Sequence, residues 1–400
     1  MRIVDVCAFY TPHGGGVRTY VDRRMTALPA LGHEIVVVAP GRENSVVERA
    51  PGAILVTLAQ PALPFDRRYH FFDDRAALHD ALDTWRPDVV ECSSPWSSAT
   101  KVGEWQGSAP RALFMHADPM SAYAYRWFGG MAKTERIDRM FDRFWRHLRS
   151  LDEVYDAVVA PGVSLGRRLS AGGLTKVHNI PLGVEPGIFR PARASDDVRR
   201  ELHERLNLPE DGIALVAVGR FAAEKRWPLV IRAVAAAAKE RPVGLLLVGG
   251  GKGAAKLAKE AADCAHIEVA PPTETRTELA TLLASADALV HGCESETFCL
   301  VASEARASGL PIIVPDRGGA FDQLGAGAGL AYRATNEESL RETIVRFVDA
   351  APGAFSRRPS EAAKVRTMDR HFEELMGLYE SLGDGRAMPS ERRVRVPARA

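Results

Sequence analysis

Short apolar runs alternate along the chain with stretches whose apolar positions recur every three or four residues, the pattern of strands alternating with amphipathic helices. The first series of apolar runs is Ile3–Ala8, Ile35–Ala39, Ile54–Leu58, Asp88–Glu91, Ala112–His116 and Ala157–Ala160. A second series is Ile213–Val218, Gly244–Val248, Ile267–Val269, Ala288–His291 and Ile312–Val314. Helical spacing falls between them, for example over Val17–Leu28, Pro228–Lys239 and Phe298–Ser308. The last of these stops at Gly309, with Pro311 just beyond, a strong helix terminator. Runs that are apolar on both faces and joined by helices predict α/β architecture: parallel sheets wrapped by helices.

Between the two series lies Asn179–Pro191, rich in Pro and Gly, as suits an interdomain segment. The chain therefore reads as two Rossmann-like, doubly wound domains facing across a cleft. Residues 1–177 form the first and 178–366 the second. Residues 384–400, with Arg392, Arg393, Arg395 and Arg399, read as a disordered basic tail. In such sheets ligands bind at the carboxyl ends of the strands. Gly219-Arg220, Gly249-Gly250-Gly251, Ala270-Pro271, His291–Glu296 and Asp316–Gly319 all lie at those ends and should converge on one rim.

Composition narrows the function classes. A length of 400 residues allows two cores, and 26% charged with 46% hydrophobic residues is ordinary for a soluble globular protein. A net charge of +1 gives no global attraction to nucleic acid or to an anionic membrane. No run reaches the length of a membrane span, and Asp5 interrupts what would have to be the apolar core of a signal peptide. The five cysteines include no Cys-x-x-Cys pair and read as reduced thiols, so a cytoplasmic location is expected.

The most informative chemistry lies in Ser295–Ala305, where Glu296 and Glu304 are separated by seven residues at a strand-to-helix junction. Amides at Phe298, Cys299 and Leu300 would open the helix and face phosphates, with Thr297 beside them. Glu304, taken to lie about two turns along the helix among Ala302, Ala305 and Ala307, could accept hydrogen bonds from a ribose. Arg220 and Lys225 follow the first strand of the second series and are close enough in sequence to converge on one departing diphosphate. The plain alternative is a surface basic pair at a strand exit. No His/Glu/Asp cluster has metal-ligand spacing, and Asp73-Asp74 reads as a helix N-terminus.

Gly219-Arg220…Lys225, the Glu296…Glu304 spacing and Ala307–Pro311 resemble the retaining nucleotide-sugar glycosyltransferases of family 4, which have the GT-B fold. The resemblance runs from Met1 to about Gly383 and is most specific from Ile180 to Gly319. It implies that Arg220 and Lys225 bind the donor diphosphate, that Glu296 contacts the transferred sugar and that Glu304 contacts the ribose. It also implies that the Gly14–Gly16 loop, with Gly15 and Gly16 as the candidates, lies over the sugar diphosphate. His116 would lie close to the transferred sugar, and the helix over about 367–383 would pack back on the first domain. The family usually has glycine where this chain has Cys299; cysteine serves there if the position supplies only its backbone. Glu296–Phe298, with Pro315–Gly319 downstream, is worded most like the mannosyl- and glycolipid-forming members.

Around this core, Gly250 is placed with the donor by its strand-end loop, and the loops after Val248 and Val269 should line the base pocket. Asp118 is a candidate to orient an acceptor hydroxyl. Tyr123, with Tyr125, Trp127 and Phe128, could line an acceptor groove or simply pack. Lys133–Leu151 reads as an amphipathic basic helix, either core-facing with a solvated face or meeting anionic lipid headgroups.

The expected activity is metal- and cofactor-independent transfer of a hexose, with GDP-mannose first and a UDP-hexose next. The acceptor is an alcohol, such as a glycolipid or growing glycan. No carboxylate is placed as a nucleophile, so the family's front-face, leaving-group-assisted attack is implied. Peripheral contact with the inner face of the membrane is expected, and no nucleic-acid partner. The alternatives are a GT-B nucleotide-sugar epimerase and a catalytically inactive nucleotide-sugar-binding partner subunit.

Overall fold

A computed structural model describes residues 1–11, 16–64, 66–118, 140–325, 327–350, 355, 362 and 364–384. The chain divides into two compact units. One comprises Met1–Pro181 with the chain from Asp369 onward, and the other is Leu182–Met368. The division falls within the Pro/Gly-rich segment, a few residues past position 177.

The first unit is built on an eight-stranded sheet in the order β10-β9-β8-β7-β1-β2-β4-β3. Its strands are β1 (Arg2–Val6), β2 (Glu34–Gly41), β3 (Ser45–Ala50), β4 (Ala53–Ala59), β7 (Val89–Cys92), β8 (Arg111–Phe114), β9 (Ala157–Ala160) and β10 (Val177–Asn179). A small separate hairpin pairs β5 (Ala62–Leu63) with β6 (Asp66–His70). All neighbours in the large sheet are parallel except β3 and β4, which pair antiparallel. The sequence of β3, Ser-Val-Val-Glu-Arg-Ala, explains why an apolar-run reading passes over it. It is an edge strand whose Val46 and Val47 stay exposed.

Helices α1 (Gly16–Ala30), α2 (Arg75–Trp85) and α3 (Asp142–Val154) belong to this unit. Asp74 caps α2 by accepting from the Ala77 amide at 3.0 Å. Of the expected basic helix over 133–151, the described part is α3; residues 119–139 lie outside the described ones. Among the described residues no helix is long and apolar enough to cross a membrane.

The second unit carries a six-stranded parallel sheet in the order β13-β12-β11-β14-β15-β16. Its strands are β11 (Ile213–Val218), β12 (Val243–Val248), β13 (Ile267–Ala270), β14 (Ala288–Val290), β15 (Ile312–Pro315) and β16 (Gly329–Tyr332). Helices that matter for the site are α4 (Trp227–Ala238), α5 (Arg276–Ser285) and α6 (Leu300–Ala307). The central strands are apolar at consecutive positions because separate cores pack on the two faces. Leu246, Val216, Leu289 and Ala302 lie in one, and Leu245, Leu215, Val230 and Ile313 in the other.

The helix α7 (Met368–Gly383) closes the chain, and from Asp369 it belongs to the first unit. Tyr379 donates to the Glu91 carboxylate, and His371 Nε2 meets the Tyr20 hydroxyl at 2.9 Å. These anchors lead into a buried polar cluster. Arg24 reaches Glu91 at 2.5 Å and Asp5 at 3.4 Å, and Ser93 donates to Asp5 at 2.8 Å. Burial and the neighbouring Glu91 carboxylate push the Asp5 carboxyl up to about 7, against the pull of Arg24.

Candidate functional site

The strand exits of the second unit are stitched together by backbone bonds. The Phe221 amide donates to the Gly250 carbonyl at 2.7 Å, Gly249 to Ala270 at 3.0 Å, and Gly319 to Glu296 at 2.7 Å. Such closeness requires small residues. A Cβ on Gly249 would sit 1.9 Å from the Gly219 carbonyl oxygen, and one on Gly319 would sit 2.5 Å from the Phe298 nitrogen. Gly250 itself faces open space, with only Pro272 at 3.7 Å from a built Cβ. The expected convergence of these loops on one rim is what the structure has.

The chain leaves β11 through Gly219 and Arg220 and turns at Arg226, whose positive φ of 51° starts α4. Trp227 Nε1 donates to the Arg220 carbonyl at 2.8 Å and pins this loop. Arg226 in turn forks onto Glu294, with Nε donating at 2.7 Å to Oε2 and the second nitrogen to Oε1. The exits of β11 and β14 are thereby locked together.

At this junction Lys225 Nζ donates to Glu296 Oε1, and His291 Nε2 stands 3.0 Å from the same oxygen. Lys225 and Glu296 are mostly buried, and His291 is completely so. Burial works against both charges of the pair, but their mutual attraction wins. The Glu296 carboxyl is held well below the usual carboxylate range, and the Lys225 ammonium well above its own. The pair is ionised at neutral pH.

One expectation about this group needs correcting. Helix α6 begins at Leu300, not at Phe298, so Glu304 lies one turn inside it. Phe298 precedes the helix with its ring buried, and Cys299 is the N-cap. Arg220, the second expected cation, has a side chain that is 71% exposed and donates to Glu224 Oε1 at 3.2 Å. An i,i+4 partner on its own loop holds the guanidinium in solvent.

Cys299 has φ 68° and ψ 72°, the left-handed region that glycine enters freely and other residues rarely. This is why a glycine suits the position. The Cys299 carbonyl accepts from the Ala302 and Ser303 amides at 3.1 and 3.3 Å, and the Leu300 and Val301 amides ahead of them have no intrahelical carbonyl to bond. His291, Glu296 and Cys299 offer donor atoms within 4.8 Å of one another. That set fits a cation poorly, because Lys225 already sits on the carboxylate and burial pushes the Cys299 thiol well up.

Glu304 is buried, and its Oε1 accepts from Arg276, a residue the sequence reading passed over. A signal for it existed. Arg276 is the first residue of α5, where the helix dipole disfavours a cation that has no anionic partner.

In the first unit His116 follows β8, with Nε2 3.3 Å from Ser93 Oγ and its ring against Phe114 and Tyr20. Burial, with Arg24 nearby, pushes its imidazole down to about 3, so it is neutral. Asp118 is paired with Arg168 at 2.5 Å, which engages the carboxylate expected at the acceptor. Gly16 opens α1 with nothing within 4 Å of a built Cβ. Gly15 and Tyr123 lie outside the described residues.

Residues 14–187 match the family described as Glycosyltransferase Family 4, and residues 198–366 match Glycosyl transferases group 1. The chain is 30% identical to a GDP-mannose-dependent alpha-mannosyltransferase of Mycobacterium tuberculosis (strain CDC 1551 / Oshkosh), across 96% of this chain and 97% of the relative. It is 28% identical to a GDP-mannose-dependent alpha-(1-6)-phosphatidylinositol dimannoside mannosyltransferase of Mycobacterium tuberculosis (strain ATCC 25177 / H37Ra), across 90% of each. The fold is similar to that of sucrose-phosphate synthase from Thermosynechococcus elongatus, with a TM-score of 0.76, 19% identity and coverage of 96% of this chain and 100% of that one. It is also similar to that of Anabaena Alr3699/HepE, solved in complex with UDP and glucose, with a TM-score of 0.67, 14% identity and coverage of 95% and 100%. Full-length similarity, two Rossmann-like units and loops joined at the strand exits of the second agree: the chain belongs to glycosyltransferase family 4 and is a glycosyltransferase of the GT-B fold.

Proposed function

We propose that the chain transfers mannose from GDP-mannose to an alcohol of a glycolipid acceptor, with retention of configuration and without a metal. The observation that carries the reading is the ionised Lys225–Glu296 pair beside the start of α6. An ammonium there answers the leaving diphosphate, and a carboxylate there answers sugar hydroxyls. Binding of the donor exchanges the internal ion pair for these two contacts, so neither charge is left buried alone. The amides of Leu300 and Val301 add donors to the diphosphate, and the helix dipole favours its charge. Arg220, on its solvent-exposed loop, has to turn from Glu224 to reach a phosphate. Glu304 takes the ribose.

Positive charge on the leaving group comes from Lys225 and Arg220, which is the role a metal would otherwise fill. The choice of GDP-mannose and of a glycolipid rests on the names of the full-length relatives. Contact with anionic lipid through α3 belongs to the same reading: Arg143 sits on this helix, and Met140 and Trp96 nearby are exposed. Arg146 and Arg149 are engaged by Asp142.

The test is incubation of the purified chain with GDP-mannose or a UDP-hexose and phosphatidylinositol mannosides, with products read by mass spectrometry and the new anomeric centre by NMR. An α-mannoside formed from GDP-mannose supports the reading. A β-linked product overturns retention, and an altered free nucleotide sugar without glycoside overturns transfer.

A further inference from the structure

Arg276 has no role in the site as described so far, yet three groups converge on it. Its guanidinium donates to Glu304 Oε1, its Nε stands 3.7 Å from Glu185 Oε2, and its guanidinium carbon lies 4.8 Å from the centre of the Phe189 ring. A planar fork held by two carboxylates and an aromatic face has little freedom left. Its Glu304 partner is 5% exposed, whereas the arginine itself is 44% exposed. The arginine therefore stands between solvent and a buried acid.

We propose that Arg276 is a positioning residue for the donor nucleotide: lodged against Glu185 and Phe189, it fixes the Glu304 carboxylate in the orientation that receives the ribose hydroxyls. This rests on the reading that Glu304 takes the ribose.

The electrostatics point the same way. Burial pushes the Glu304 carboxyl up, and Arg276 opposes that shift, with Glu185 adding slightly to it. The charged groups acting on Glu304 are thus Arg276 on α5 and Glu185 in the segment after β10. The β15 strand packed against α6 is Ile-Ile-Val-Pro and contributes none. Without Arg276 the carboxyl rises further. A protonated Glu304 is a poorer acceptor for two hydroxyls, so the loss of nucleotide affinity on acidification should then set in at a higher pH than in wild type.

Calorimetry of the full chain with GDP, UDP and their 2′-deoxy forms, from pH 6 to 8, tests this. Wild type should bind the ribonucleotide about tenfold tighter than its deoxy form, the size of one hydrogen bond to a charged group. In Arg276→Gln the discrimination should shrink below about threefold, and the loss of affinity on acidification should move to higher pH than in wild type. Arg276→Lys keeps the charge and loses the fork, so it should keep the wild-type pH profile and lose part of the discrimination. Full discrimination with an unchanged pH profile in both variants overturns the positioning role and leaves the ribose role of Glu304 standing. A wild type that binds ribo- and deoxynucleotides alike, or binds neither base, removes the ribose role and the proposal together.

Discussion

Cys299 gives the sharpest test of backbone geometry at the site. Its φ of 68° places a Cβ where a left-handed residue meets steric resistance, at a cost of about 1–2 kcal/mol relative to glycine. Its side chain is also buried, in the core cluster with Ala302, Ala305 and Leu310, and deleting it loses roughly 1–1.5 kcal/mol of burial. Glycine further loosens the unfolded chain, which costs about 0.4–1 kcal/mol. The three terms nearly cancel, so Cys299→Gly should lie within about 1 kcal/mol of wild type. Cys299→Val keeps the burial but forces a β-branched residue into the left-handed region, and should lose about 2–3 kcal/mol.

Urea unfolding of the full chain, with the variants side by side, reads the order. Glycosyl transfer by Cys299→Gly should stay within about twofold of wild type, because the position contributes backbone and no side-chain chemistry. If burial alone mattered the order would invert: valine would be neutral and glycine would lose roughly 2 kcal/mol. That result would refute a left-handed Cys299 and the helix start built on it.

Two further outcomes follow from buried charges. Lys225→Ala strands Glu296, which should cost on the order of 3–5 kcal/mol at pH 7. In wild type the depressed carboxyl contributes stability that is present above the ordinary carboxylate range and lost only in strong acid. In the variant burial raises the carboxyl instead, so the stability gap measured by denaturant unfolding should widen from pH 4 to pH 7. A gap independent of pH would remove the pair. Asp5 behaves in the opposite sense. Its carboxyl rises from 3.8 to about 7, so its contribution is present below pH 3.8 and lost as pH rises through 7. Asp5→Asn should flatten that decline in a pH series of melting temperatures; an unchanged slope would place the titration elsewhere.

Most of the scaffold was legible in the sequence because buried parallel strands are written as unbroken apolar runs. Ala157–Ala160 and Ile213–Val218 coincide with strands end to end. Beside the small β5–β6 hairpin, the strands passed over are β3, β10 and β16, all edge strands of the two large sheets, where one side needs no partner and the sequence carries less apolar signal. Lys225 and Glu296 were legible as separate motifs, but their pairing across 71 positions depends on the β11 and β14 exits lying side by side. The direction in which Arg220 turns was not legible, because adjacency in sequence does not decide which way a loop side chain points. Arg276 was missed for the complementary reason: its partners, Glu185 and Glu304, lie in segments that only the fold brings together. The start of α6 was misplaced by two residues because a left-handed cysteine leaves no compositional mark where a glycine would have.

The central claim is that the second unit captures a nucleoside diphosphate between Lys225 and the start of α6. A crystal structure of the full chain with GDP tests it most directly. The β-phosphate should lie within hydrogen-bond distance of Lys225 Nζ and the Leu300 amide, with the Lys225–Glu296 pair opened and the ribose on Glu304. A diphosphate bound away from α6, with the Lys225–Glu296 pair intact, would contradict it.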